Sequence, residues 1–230
     1  MITAANDRLE NSILLRETNP FVLVIENPQE YYRTTRAIID ALNGDISDFS
    51  FWKGNTQIDA AKTGEIVSDI FSFDFADKKI VTLLHKKLVA NYLDGDFLPE
   101  YNKITAETTM FLDRLCLTVD FALDSDEMTI EELLKVCSVK PAKTYDSLLE
   151  KIVCYVNILT ELKHVAFFVF VGLKSVLTDE ELKMFYKHCR MQKISLLLLE
   201  SRDKCPRMEE ETTLIVTQDL CEIVANYPEL

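Results

Sequence analysis

Val165-Ala-Phe-Phe-Val-Phe-Val171 and Ile194-Ser-Leu-Leu-Leu-Leu199, with Leu177-Thr-Asp-Glu-Glu-Leu182 between them, decide the fold. Both runs are uncharged, rich in branched or aromatic residues, and too short to span a membrane, which is the pattern of strands buried on both faces of a parallel sheet. Between them, Thr178 and Glu181 have the spacing of a capping box, and Leu182, Phe185, Tyr186 and Cys189 form an apolar helical stripe. The unit is strand, helix, strand, with a right-handed crossover.

Phe21-Val-Leu-Val-Ile25 is a third strand of this kind, leading through Glu26-Asn-Pro28 into a helix that carries Tyr32, Ile38, Ile39 and Leu42. In nucleotide-binding α/β proteins such a turn holds a phosphate loop, whose glycines let backbone N–H groups approach the phosphates and whose lysine and hydroxyl serve the outer phosphates and magnesium. Here Glu26 repels phosphate and Pro28 lacks a donor. Lys62-Thr63 matches by residue type, but Thr56 and Ala61 stand where glycines are needed. The sequence predicts no nucleotide site.

Outward from this core, Arg8 to Arg16, Phe49 to Lys53 and Ile66 to Phe73 read as further strands. From residue 77 to 163 apolar residues recur at helical spacing (Ile80, Leu83, Leu84, Leu88, then Leu112, Leu115, Leu133, Leu148, Ile152, Leu159), punctuated by Gly95, Pro99 and Pro141. The predicted organisation is an α/β sheet domain of residues 1–76 and 164–230, with a helical domain of residues 77–163 inserted in it. Thr212 to Thr217 and Leu220 to Val224 read as a closing hairpin, frayed at Pro228.

The 230 residues are 48% hydrophobic, ample for a core. No run has the length of a membrane helix, and the first residues lack a signal's basic-then-apolar order, so a cytoplasmic protein is expected. Six cysteines, among them Cys205, are scattered without a Cys-x-x-Cys pair and read as idle thiols. The net charge of −13 opposes diffuse attraction to nucleic acid or an anionic membrane, so any DNA contact needs a local basic surface. Candidates are Arg33 with Arg36, Lys78 with Lys79, Lys86 with Lys87, and Arg202, Lys204 and Arg207; each alone reads first as an ordinary solvated face.

Asp120, Asp124, Asp126, Glu127, Glu131 and Glu132 crowd a segment with no lysine or arginine from Cys116 to Leu134. Oxygen-only ligands suit calcium or magnesium, but an EF-hand loop begun at Asp120 has Ala122 at a ligand position and Ser125 at the obligatory glycine. The competing reading is a capping box of Thr129 and Glu132, with acidic residues at the positive end of a helix. Magnesium-dependent phosphodiester cleavage would also need a basic clamp and a nucleophile path, and neither is visible nearby. His85, His164 and His188 form no hydrolase pattern, and Gly-x-Ser-x-Gly is absent.

Taken together, Val22-Leu-Val-Ile-Glu26-Asn27, the helical insertion with its acidic loop, Phe168-Val-Phe-Val171, Leu177-Thr-Asp-Glu-Glu-Leu182 and Ser195-Leu-Leu-Leu-Leu-Glu-Ser201 resemble the Csn2 family of type II-A CRISPR adaptation proteins. The resemblance covers most of residues 8–225. It implies a degenerate P-loop-ATPase-like sheet domain without catalysis, and a calcium-stabilised homotetrameric ring that binds double-stranded DNA at its ends without sequence specificity. It places calcium ligands at Asp120, Asp124, Asp126 and Glu127, and implies the CRISPR integrase and the RNA-guided effector nuclease as partners. The DNA-contacting residues expected on this reading are Arg33, Arg36, Lys53, Lys78, Lys79, Lys86 and Lys87. A protein-interaction scaffold and a metal-dependent nuclease are the alternatives.

Overall fold

A computed structural model describes residues 1–124, 126–142, 144–204 and 207–225; Ser125, Cys205 and Pro228 lie outside the described residues. The chain forms two compact units, one of Met1–Phe73 and Tyr145–Leu230, the other of Asp74–Thr144.

The first unit opens with strands β1 (Ile2–Asn6), β2 (Ile13–Leu15) and β3 (Phe21–Ile25), helix α1 (Pro28–Asn43), strands β4 (Phe49–Lys53) and β5 (Thr56–Gln57), the short helix α2 (Ala60–Thr63) and strand β6 (Gly64–Val67). The second unit contributes α3 (Lys78–Asp94), α4 (Leu98–Cys116) and α5 (Ile130–Val136). The chain then returns through α6 (Leu148–Lys163), β7 (Phe167–Val171), α7 (Asp179–Met191), β8 (Ser195–Glu200), β9 (Thr212–Val216) and β10 (Glu222–Ala225). No helix among the described residues is long and apolar enough to cross a membrane.

The expected parallel core forms: β7 pairs β8, and β3 lies between β8 and β9, all parallel. The six-stranded order is β10-β9-β3-β8-β7-β6, and β10 closes one edge antiparallel, as the hairpin reading requires. Thr178 and Glu181 make both halves of their capping box, and Leu182, Phe185, Tyr186 and Cys189 of α7 are buried. Burial raises the pKa of the Cys189 thiol, consistent with an inert core cysteine.

Three boundaries differ from the sequence expectations. The predicted strand from Arg8 to Arg16 is only its last third, β2; its partner β1 lies upstream, where short Ala and Thr side chains give a weak hydrophobic signal, and both join an antiparallel sheet of order β2-β1-β4-β5. The strand expected at Ile66 to Phe73 is β6, Gly64–Val67, after which Asp69 accepts from the Phe71 and Ser72 amides and turns the chain. Gly64 fits because a Cβ there would sit 2.3 Å from the Phe167 ring. Helix α6, expected in the insertion, belongs to the sheet unit: Leu149, Ile152, Val156 and Leu159 are buried, and the helix packs beside α7. Helical periodicity marks a helix without saying which core its stripe joins.

The two sheets share one core. Ile13, Leu15, Phe49 and Phe51 pack with Leu23, Phe167, Leu197 and Leu214 and with Ile38 and Leu42 of α1, and the Phe51 and Phe167 rings stack 4.9 Å apart. A buried polar network joins the carboxyl ends of β7 and β8 to the residue that precedes β9. Lys174 Nζ donates to Glu211 at 2.6 Å, the Tyr186 hydroxyl donates to the same carboxylate at 2.7 Å, and the Lys174 backbone N–H donates to Glu200 at 2.8 Å. Glu211 is thus charge-paired, whereas Glu200 has only an amide donor, and burial pushes its pKa up to about 7 against the opposing pull of Lys174. A carboxyl whose folded pKa is raised binds its proton more tightly in the native state, so stability falls as pH rises from about 4.5 to 7 and is then level with respect to this group. Glu200→Gln should abolish that decline, and its stability relative to the parent should rise between pH 5 and pH 8 by on the order of 3 kcal/mol in urea unfolding.

Candidate nucleic-acid interface

Helix α3 begins at an Asp77 cap that accepts from the Lys79 amide and ends at Gly95. Ile80 is buried, Leu84 and Leu88 are half-buried on the same side, and Lys78, Lys79, Lys86 and Lys87 are all exposed. At about 100° per residue Lys78, Lys79 and Lys86 fall on the side opposite that apolar stripe, whereas Lys87, seven residues after Ile80, borders the stripe itself. None of the four makes an ion pair with another described residue. His85, next to Lys86, is buried and its Nε2–H donates to the Val139 carbonyl oxygen at 2.8 Å, holding α3 against the segment that follows α5. The result is a one-sided cationic face in an acidic chain.

Arg33, Arg36 and Lys53 belong to the other unit. Arg33 and Arg36 stand on α1 and line a cleft of about 250 Å³ with Arg8, a residue that the sequence reading did not include. Here the charges are balanced: Arg36 pairs with Asp40 at 2.9 Å, Arg33 lies 3.9 Å from Glu30, and Arg8 lies within 3.9 Å of Glu30 and 3.6 Å of Asp48. Lys53 is exposed at the end of β4 without an ion pair among the described residues. Arg202 is exposed, while Lys204 pairs with Asp179 and Arg207 with Asp203. Spacing along the chain carries a signal for this difference: Glu30 and Asp40 stand three and four residues from Arg33 and Arg36, whereas within α3 no carboxylate stands three or four residues from the lysines.

The acidic segment follows α4. Asp120, Asp124, Asp126 and Glu127 are exposed, and Asp126 and Glu127 line a cavity of about 560 Å³ with Asn102, Thr105, Thr108 and Thr109. Calcium requires six to eight oxygens at about 2.4 Å. Among the described residues no three His, Cys, Asp or Glu side chains gather as a metal site. The capping box of Thr129 and Glu132 forms in full, and its hydrogen bonds from the Thr129 amide and hydroxyl hold Glu132 below the usual carboxylate pKa range.

The turn between β3 and α1 is equally defined. The Asn27 side chain accepts from the Gln29 and Glu30 amides, the donors a phosphate would need, and its own Nδ2 donates to the Gln218 carbonyl. Gln218 Nε2 returns a hydrogen bond to the Glu26 carbonyl at 2.6 Å. Lys62, in the short α2, is paired with Asp59. A helix start so capped has no amide to offer a phosphate. Asn27→Ala should cost about 1 kcal/mol of stability through loss of the cap, measured by denaturant unfolding, without creating ATP binding in a calorimetric titration.

A family model described as CRISPR-associated protein (Cas_Csn2) matches residues 42–220. That span holds Lys53, the four lysines of α3 and the acidic segment, but neither Arg33 nor Arg36. The chain is 28% identical over 138 residues to the CRISPR-associated protein Csn2 of Streptococcus agalactiae, covering 60% of this chain and 62% of that protein. It is 22% identical over 138 residues to the CRISPR-associated protein Csn2 of Enterococcus faecalis, covering 60% and 63%. The matches therefore span less than two thirds of these relatives' lengths. Among solved structures, the crystal structure of Stu0660 of Streptococcus thermophilus is similar with a TM-score of 0.61 and 11% identity, over 94% of this chain and 74% of that one, a likeness of fold alone.

Proposed function

We propose, from the premise that this chain belongs to the Csn2 family of CRISPR-associated proteins, that it serves type II-A spacer acquisition as a non-catalytic binder of double-stranded DNA ends. The observation that carries the DNA reading is the α3 lysine face: Lys78, Lys79 and Lys86 exposed on one side, with Lys87 exposed at the edge of the apolar stripe, all four free of ion pairs among the described residues, in a chain of net charge −13. Cations that no carboxylate of the chain neutralises are available to phosphates, and contacts to phosphates carry no base preference. Lys53 is a second free cation; Arg33 and Arg36, already balanced by Glu30 and Asp40, contribute less.

Each phosphate neutralised adds about 0.9 to the slope of log affinity against log salt. Lys86→Glu with Lys87→Glu should therefore weaken binding to a blunt duplex at least about tenfold and flatten that slope by about 2 per chain, measured by fluorescence anisotropy across a salt series. Unchanged affinity would favour the scaffold reading, in which the chain binds only the integrase and the effector nuclease. Shortening of the duplex on addition of magnesium would favour a nuclease.

Self-association into a homotetrameric ring is part of the proposal. Helix α4 has no buried residue, and it exposes Ile104, Phe111 and Leu115 at seven- and four-residue spacing, an apolar seam suited to another helix. Calcium would neutralise Asp120, Asp124, Asp126 and Glu127 on assembly, but no step of DNA binding is routed through it. Light scattering with calcium and with chelator should give a mass of four chains in calcium; a monomer in both conditions would overturn the ring. We read the sheet unit as a P-loop-ATPase-like fold without its phosphate site, supported by the parallel sheet and the self-capped turn at Asn27.

A further inference from the structure

Lys151, in the first turn of α6, is 8% exposed, and no carboxylate among the described residues lies within ion-pair distance of it. Asp69 is near enough for Lys151 to help lower its pKa but makes no ion-pair contact with it, so the buried ammonium needs further compensation. Its Nζ donates to the Phe71 carbonyl at 2.7 Å and stands 4.3 Å from the centre of the Phe73 ring and 5.7 Å from that of Tyr145. These are cation–π distances, and desolvation strengthens such contacts. The box is itself built: Asp69 accepts from the Phe71 and Ser72 amides and so sets the turn that presents the Phe71 carbonyl, while Tyr155, one turn along α6, packs its ring 4.5 Å from Phe73.

The positions of these residues in the chain give the box its meaning. The sheet unit ends at Phe73 on the way out and resumes at Tyr145 on the way back. One ammonium thus touches the last residues before the helical insertion and the first residue after it. We propose that Lys151 is a latch that ties together the two chain crossings at the root of the insertion, so that its loss loosens both crossings while the sheet stays intact. This reading is independent of DNA binding and rests on sheet-unit residues alone.

Hydrogen exchange by mass spectrometry on the full chain tests it, with Lys151→Met and Tyr145→Leu compared with the parent. Tyr145 is 40% exposed, so its replacement leaves the core packed even where Lys151→Met fails to fold. The amides of Phe71, Ser72 and Asp146, each hydrogen-bonded to a local carboxylate, report the crossings, and those of β8 report the sheet. The expected result is exchange faster by about tenfold or more at both crossings in each folded variant, with β8 protected as in the parent. Crossings unchanged in Tyr145→Leu, or β8 amides accelerating in step with them, would overturn the latch and leave Lys151 as an ordinary part of the core.

Discussion

The burial of β3, β8 and β7 on both faces is the constraint from which the rest of the sheet unit follows. Every residue of Phe21–Ile25 and Ser195–Glu200 is buried, so both faces of the parallel sheet must be covered by helices and by the small antiparallel sheet. Polar groups are then confined to the strand ends. There Lys174, Glu200, Glu211 and Tyr186 form a network whose members satisfy one another, since an unpaired charge in that position would cost several kcal/mol. Lys174 follows the β7 strand and Glu200 ends the β8 strand, so the same contacts join two strand ends and the turn between them.

The same economy holds at the turn between β3 and α1. The amides at the start of α1 serve Asn27, and the crevice beside them is bridged by Asn27 and Gln218. Excess acidity is carried at exposed positions, as at Asp120, Asp126 and Glu127, while the helical unit reserves one side of α3 for lysine. An acidic protein can present a cationic surface in this way because charges more than a Debye length of about 10 Å apart are largely screened from one another.

The candidate interface was partly legible. Lys78, Lys79 and Lys86 could be named from spacing, because a helix of known period turns sequence separation into a side, and Lys87 is set apart from them by the same period. Arg33 and Arg36 have the same kind of spacing and yet are balanced by Glu30 and Asp40, one helical turn away; adjacency in sequence does not say whether a carboxylate rotamer reaches its neighbour. Arg8 joins their cleft from the turn after β1, a juxtaposition made by strand pairing across more than twenty residues. The carboxylates of the acidic segment illustrate a different point: they are dense along the chain, and where they stand in space is set by the path of the loop after α4.

What the sequence by itself determined is the local order: strands at Phe21–Ile25, Phe167–Val171 and Ser195–Glu200 that are free of charged residues except the terminal Glu200, capping boxes at Thr178 and Thr129, and the family resemblance their succession carries. Period, capping and strand length act over a few residues and can be read there. Tertiary structure alone decided that α6 belongs with the sheet, that β1 pairs with β2 and β4, that Glu200 is buried beside Lys174, and that Lys151 lies in a box of Phe73 and Tyr145. Each of these depends on groups tens of residues apart meeting in a water-excluded place, where the energy of a charge is set by its neighbours in space and not by its neighbours in the chain.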